Sequence, residues 1–96
     1  FSALSSKDYE EMGVVIGDIE NALSAAFSYE KINYLMLMMV DPNVHFHVIP
    51  RYSEVRTACG ITVADPGWPA VPQLGEARDI SLDEREALIE YISGYW

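Results

Sequence analysis

The chain reads as a small α+β domain, an antiparallel sheet with a long helix before it and a short helix after it. Three observations carry that expectation. Met12, Val15, Ile16, Ile19, Leu23 and Ala26 recur at helical spacing. Two strongly apolar stretches, 32–40 and 44–49, flank the turn residues Asp41-Pro42-Asn43. Ser81-Leu82-Asp83-Glu84 forms a capping box ahead of Ala87, Leu88, Tyr91 and Ile92, again at helical spacing.

Taken in order, Ser5 followed three residues later by Asp8 supplies an N-cap with an acidic first turn, which predicts a helix over about 7–27. Its outer face carries Glu10, Glu11, Asp18 and Glu20 and reads as a solvated surface. The run at 32–40 is almost continuously apolar, and its length favours a buried central strand over a helix. Pro42 fixes its own backbone angle and biases Asp41 away from helix, so the strand after it is expected to return antiparallel. Residues 53–80 crowd Pro66, Gly67, Pro69, Pro72 and Gly75 around Trp68 without sustained periodicity, which predicts an irregular extension lying over the core. The capping box then opens a C-terminal helix over 81–93.

Ninety-six residues, 50% of them apolar, suit a single domain spanning 1–96. Fifteen acidic against six basic side chains leave a net charge of −9, which repels a phosphate backbone at long range and argues against nucleic-acid binding. No apolar run approaches the ~18 residues of a membrane span, so no membrane partner is expected. The single cysteine, Cys59, has no internal partner, and nothing at the start reads as a signal peptide. Both point to a reducing cytoplasm.

The chain's two histidines stand in Asn43-Val44-His45-Phe46-His47-Val48-Ile49-Pro50-Arg51. In an extended strand Asn43, His45 and His47 share one face while Val44, Phe46 and Val48 share the other. Imidazoles so placed can ligate a metal, attack a substrate, move a proton or serve as polar residues within a sheet. Zinc needs three or four ligands, and only the remote Cys59 could add to the pair, so no metal site is expected. A serine on a glycine-rich turn, which a Ser-His-Asp arrangement needs, is absent. Two polar sheet residues are the plain alternative. Against it, Asn43, the histidines and Arg51 make a polar row ending in a cation, which suits a phosphate.

This stretch resembles the signature of the histidine triad (HIT) family of nucleotide-binding hydrolases and transferases, His-x-His-x-His followed by two apolar residues, with Asn43 standing where the first histidine usually does. Asn33 in Ile32-Asn33-Tyr34 resembles the family asparagine that touches the phosphate from the preceding strand. Asp65-Pro66-Gly67-Trp68-Pro69 resembles an extension found in bacterial members. The resemblance implies a HIT-like sheet and cleavage at the α-phosphate of a nucleoside phosphate conjugate or dinucleoside polyphosphate through a nucleotidyl-histidine intermediate. By position it implies His45 as nucleophile, His47, Asn33, Asn43 and Arg51 as phosphate-binding groups, an AMP-like ligand, no cofactor, and a homodimer. An asparagine cannot carry the charge a histidine can, so the pH dependence should depart from the family's. The family domain also begins with strands and a helix that build the nucleoside pocket. Nothing before Phe1 supplies them, so the chain is expected to be an N-terminally truncated HIT-like domain, to have lost them, or to borrow them from a partner. The alternative is a non-catalytic HIT-derived binding or dimerisation module.

Overall fold

The computed structural model describes residues 1–37, 43–75 and 79–96. It is a small α+β fold of two helices and two small antiparallel sheets, in the order α1 (Ser6–Phe27), β1 (Lys31–Leu35), β2 (His47–Arg51), β3 (Arg56–Ala58), β4 (Ile61–Val63) and α2 (Leu82–Ser93).

Both helices start where capping chemistry sets them. The Ser5 side chain accepts the Asp8 N–H while the Asp8 carboxylate accepts the Ser5 N–H, and Ser81 and Glu84 repeat the exchange at α2. Each box satisfies two backbone donors that a helix start leaves orphaned. Helix α1 ends at Ser28 in the left-handed region, φ 49°, with no basic residue in its last turn. The missing cation arrives from the hairpin. Arg56 of β3 donates through Nε to the Phe27 carbonyl at 2.6 Å and through Nη2 to the Ser28 carbonyl at 2.9 Å, placing positive charge on the negative end of the helix dipole. A third bond to the Glu54 carbonyl at 2.7 Å and the Tyr52 ring 5.0 Å away fix the guanidinium in place.

The expected antiparallel return is present: Lys31 pairs with Arg51, Asn33 with Ile49, and Leu35 with His47. Both strands are shorter than the sequence suggests. Strand β1 ends at Leu35 and is half-buried rather than central, because β2 is its one hydrogen-bonded neighbour among the described residues. Met36 and Leu37 lie beyond it, while the expected strand at 38–40 and the Asp41-Pro42 turn fall outside the described residues. Strand β2 begins at His47, so Asn43 and His45 precede the strand. The strict alternation expected to bring Asn43, His45 and His47 onto one face therefore applies to His47 alone.

The extension expected to be irregular contains the hairpin β3–β4, in which Thr57 faces Thr62 with their hydroxyls 2.9 Å apart. Its two-residue turn holds Cys59 at φ 54° and Gly60 at φ 74°, the positive pair that tight hairpins need. Strands of three residues are too short to register as periodicity. Glu20, expected on the solvated helix face, accepts the Tyr34 hydroxyl at 2.6 Å and ties β1 to α1. Burial beside this carboxylate pushes the Tyr34 phenol up to about 12.

Helix α2 closes the fold against α1. The Phe27 and Tyr91 rings stand 5.9 Å apart, and the Tyr91 hydroxyl donates to the Ala26 carbonyl at 2.7 Å. The buried apolar residues among those described are Ala22, Ala58 and Ile61. Such a thin core makes local devices count. Arg56→Gln should lose both the charge on the α1 terminus and the cross-link to the hairpin, lowering stability by about 1–2 kcal/mol in denaturant unfolding. Ser81→Ala should cost about 1 kcal/mol by the same measurement.

Candidate functional site

The residues singled out in the sequence form two clusters, one at and just before the start of β2 and the other around its end. The first joins Asn43, His45 and His47. Asn43 contributes its main-chain carbonyl, which lies 2.7 Å from His45 Nδ1. A carbonyl can only accept, so Nδ1 is the protonated ring nitrogen in this bond. In the neutral imidazole Nε2 then keeps its lone pair. The His47 ring lies edge-on to His45 with centroids 5.4 Å apart. His45 is half-buried, His47 is exposed, and Phe46 between them meets the Phe1 ring at 6.4 Å. One histidine is thus oriented by the backbone, and the other stands beside it on the rim.

The second cluster is built around Arg51 at the end of β2. Its guanidinium donates through Nε to Asp65 Oδ2 at 2.6 Å, through Nη2 to Asp65 Oδ1 at 3.3 Å and to the Ala70 carbonyl at 2.6 Å, and through Nη1 to Asn33 Oδ1 at 2.6 Å. The Arg51 and Asp65 side chains are 5% and 8% exposed. A cation so enclosed directs these donors inward, and Arg51 thereby fastens the segment after β4 to the sheet. Asn33 is drawn into the same lock: its carbonyl oxygen faces Arg51, and its amide nitrogen donates to the Ile32 carbonyl at 3.4 Å. Asn33 pairs with Ile49, two residues along the strand from His47, so alternation sets Asn33, Leu35, His47 and Ile49 on a common face.

Asp65 is the residue that sequence reasoning missed. Its carboxylate also accepts the Tyr52 N–H at 3.4 Å and the Gly67 N–H at 3.2 Å. Burial works to raise its pKa, but the Arg51 hydrogen bonds, the two amides and the Arg51 charge outweigh it and hold the carboxyl below its usual range. One signal pointed to it: an acid standing directly before the Pro66-Gly67 turn, where a carboxylate can accept a backbone N–H two residues on. Nothing in the sequence named Arg51 as its partner 14 residues away. Gly67 completes the turn, since a Cβ there would collide with the Val71 carbonyl and crowd Gln73.

No group of three or more His, Cys, Asp or Glu side chains among the described residues could hold a metal ion. No helix among them is long and apolar enough to cross a membrane. Comparison of the chain with protein-family models, with curated proteins and with solved structures returned no match.

The lock sets a pH dependence. The Asp65 pKa is depressed in the folded chain, so its contribution to stability is fully present above the unfolded value near 3.9 and is lost as pH falls through the lower folded value. Acid unfolding followed by circular dichroism should show part of its stability loss below about pH 4 traceable to this group. Asp65→Asn should remove that part, and at neutral pH should cost about 3–5 kcal/mol because it leaves the Arg51 charge buried without its counter-ion.

Proposed function

We propose that this chain is a nucleotide hydrolase or nucleotidyl transferase of histidine triad type, acting at the α-phosphate of an AMP-bearing conjugate through His45. The observation that supports it best is the 2.7 Å hydrogen bond between His45 Nδ1 and the Asn43 carbonyl. It presents Nε2 as the nucleophile and keeps the proton on the far side of the ring, as attack on phosphorus requires.

In this reading Nε2 attacks the α-phosphorus, a phosphorus–nitrogen bond forms, and the bond to the leaving group breaks with its electron pair departing on that group. Water then attacks the nucleotidyl-histidine, the phosphorus–nitrogen bond breaks, and its pair returns to Nε2 as AMP and a proton leave. Splitting one displacement into two is the gain from covalent catalysis. His47, exposed and edge-on to His45, acts as the donor to a non-bridging oxygen, where a preorganised hydrogen bond is worth about 3–4 kcal/mol in the transition state. Asn43 keeps its place beside the phosphate as an uncharged amide. Asn33 and Arg51 enter as positioning residues, because their side chains are spent on each other and on Asp65. No cofactor takes part.

A second copy of the chain belongs to this proposal. Val14 and Val15 of α1, Leu37 beyond β1 and Phe46 between the histidines all stand well exposed, and a homodimer would cover such surface.

Mass spectrometry after brief incubation with adenosine phosphoramidate, and separately with diadenosine tetraphosphate, tests the proposal. Release of AMP, with an adduct mapped to His45, is the expected result. His45→Ala should abolish turnover, a loss of at least about 10³-fold for a covalent nucleophile, while the unfolding midpoint stays close to that of the parent chain. Turnover persisting in His45→Ala would overturn the mechanism, and AMP binding without turnover in the parent chain would favour a non-catalytic binding module.

A further inference from the structure

One face of α2 borders open space rather than packed side chains. Leu88 and Ile92 are four residues apart and share a helix face, yet α2 holds no buried residue. Both line a cavity of about 310 Å³, together with Phe27 at the end of α1, Ile49 of β2, and Ala58 and Ile61 of the hairpin. Both helices and both sheets therefore contribute to its walls. Its volume lies at the lower end of the roughly 300–1,000 Å³ range of small-molecule sites.

Two polar side chains, Tyr52 and Arg56, join this apolar lining, and no acid does. The five N–H groups of the Arg56 guanidinium meet four carbonyls among the described residues, those of Phe27, Ser28, Glu54 and Val55, which leaves one Nη2 N–H over. All four acceptors are neutral. The Glu30 carboxylate feels the Arg56 charge but accepts from the Ser53 N–H and hydroxyl. No acid among the described residues stands within ion-pair distance of Arg56.

From this pairing of an apolar cavity with a cation that lacks a counter-ion, we propose that the chain binds an aliphatic carboxylate of medium length. The hydrocarbon tail of this free fatty acid fills the cavity beside α2, and its carboxylate meets the Arg56 guanidinium. The inference stands apart from the reaction read at His45, since neither histidine lines the cavity.

The lining selects that chemistry in three ways. Walls of aliphatic and aromatic side chains favour a hydrocarbon, and a nucleotide or sugar there would bury polar groups that, Tyr52 and Arg56 apart, find no side-chain partner. The planar fork of an arginine matches the two oxygens of a carboxylate. The guanidinium is also held before ligand arrives, by the Phe27 and Ser28 carbonyls and by the Tyr52 ring 5.0 Å away, which limits the ordering cost of binding. The net charge of −9 repels anions at long range, so affinity comes from burial of the tail while Arg56 selects the head.

Calorimetric titration of the parent chain with hexanoate, octanoate and decanoate, each below its micelle concentration, tests the site. Affinity should rise about fourfold per added methylene until the cavity is filled, and octanol should bind about fivefold more weakly than octanoate. Octanoate should shift the methyl NMR signals of Ile49, Ile61, Leu88 and Ile92. Ala58→Leu, which fills part of the cavity, should weaken octanoate by about tenfold or more and raise the unfolding midpoint. Arg56→Gln should lose the preference for octanoate over octanol, and Arg56→Lys should keep it. Octanol affinity in the same two variants reports whether the cavity itself survives, which separates a weakened fold from a lost anion contact. Absence of octanoate binding, affinity independent of chain length, or shifts confined to other methyl groups would overturn the site. So would a dimer that Ala58→Leu dissociates, which would assign the cavity to a second copy of the chain.

Discussion

The buried ion pair between Arg51 and Asp65 is the interaction on which the arrangement of this chain depends. Removing two charges from water costs several kcal/mol per ion, and the cost is offset only when the remaining donors and acceptors are satisfied. Here they are met from several directions: Asn33 and Ala70 accept from the guanidinium, while the Tyr52 and Gly67 amides donate to the carboxylate. These partners come from β1, from the end of β2 and from the segment after β4. A single network thus fixes three stretches of chain that little apolar burial would hold, the buried apolar residues among those described being few and small. The Glu30 N–H, bonded to the Arg51 carbonyl at 2.9 Å, adds the residue entering β1 to the same point.

A similar economy appears at the α1 terminus. A helix without a basic last turn borrows Arg56 from a strand 28 and 29 residues away in the chain. Arginine suits both places for one reason, since its planar fork can satisfy several acceptors at fixed angles where a lysine presents a single point charge. In this fold the two arginines act as fasteners, and the acidic surplus of the chain leaves few other cations for that work.

The parts of the fold legible in the sequence are those governed by near neighbours. Capping boxes three residues wide located both helix starts, and the antiparallel pairing followed from two apolar stretches around a proline turn. What escaped was set by distant contacts or by very short elements. The β3–β4 hairpin turns on Cys59-Gly60 rather than on the Asn-Gly or Asp-Gly pairs that usually announce such a turn. Arg51 read as a free cation ending a polar row because only the folded chain brings Asp65 to it. The histidine stretch stood out by composition, yet β2 starts at His47, paired with Leu35 at the end of β1. The residues singled out were thus visible as a group in the sequence, while their division into a ring pair and a locking network was not.

The hydrogen bond that orients His45 ends on the main chain of Asn43, not on its side chain. Every residue type carries that carbonyl. Position 43 can therefore exchange one side chain for another and leave the tautomer of His45 where it was, so long as the local backbone path is kept. Orientation of the ring and the chemistry offered by its neighbour are written in separate parts of one residue, which allows the second to drift without disturbing the first. A side-chain exchange at position 43 is the sort of change such a separation permits.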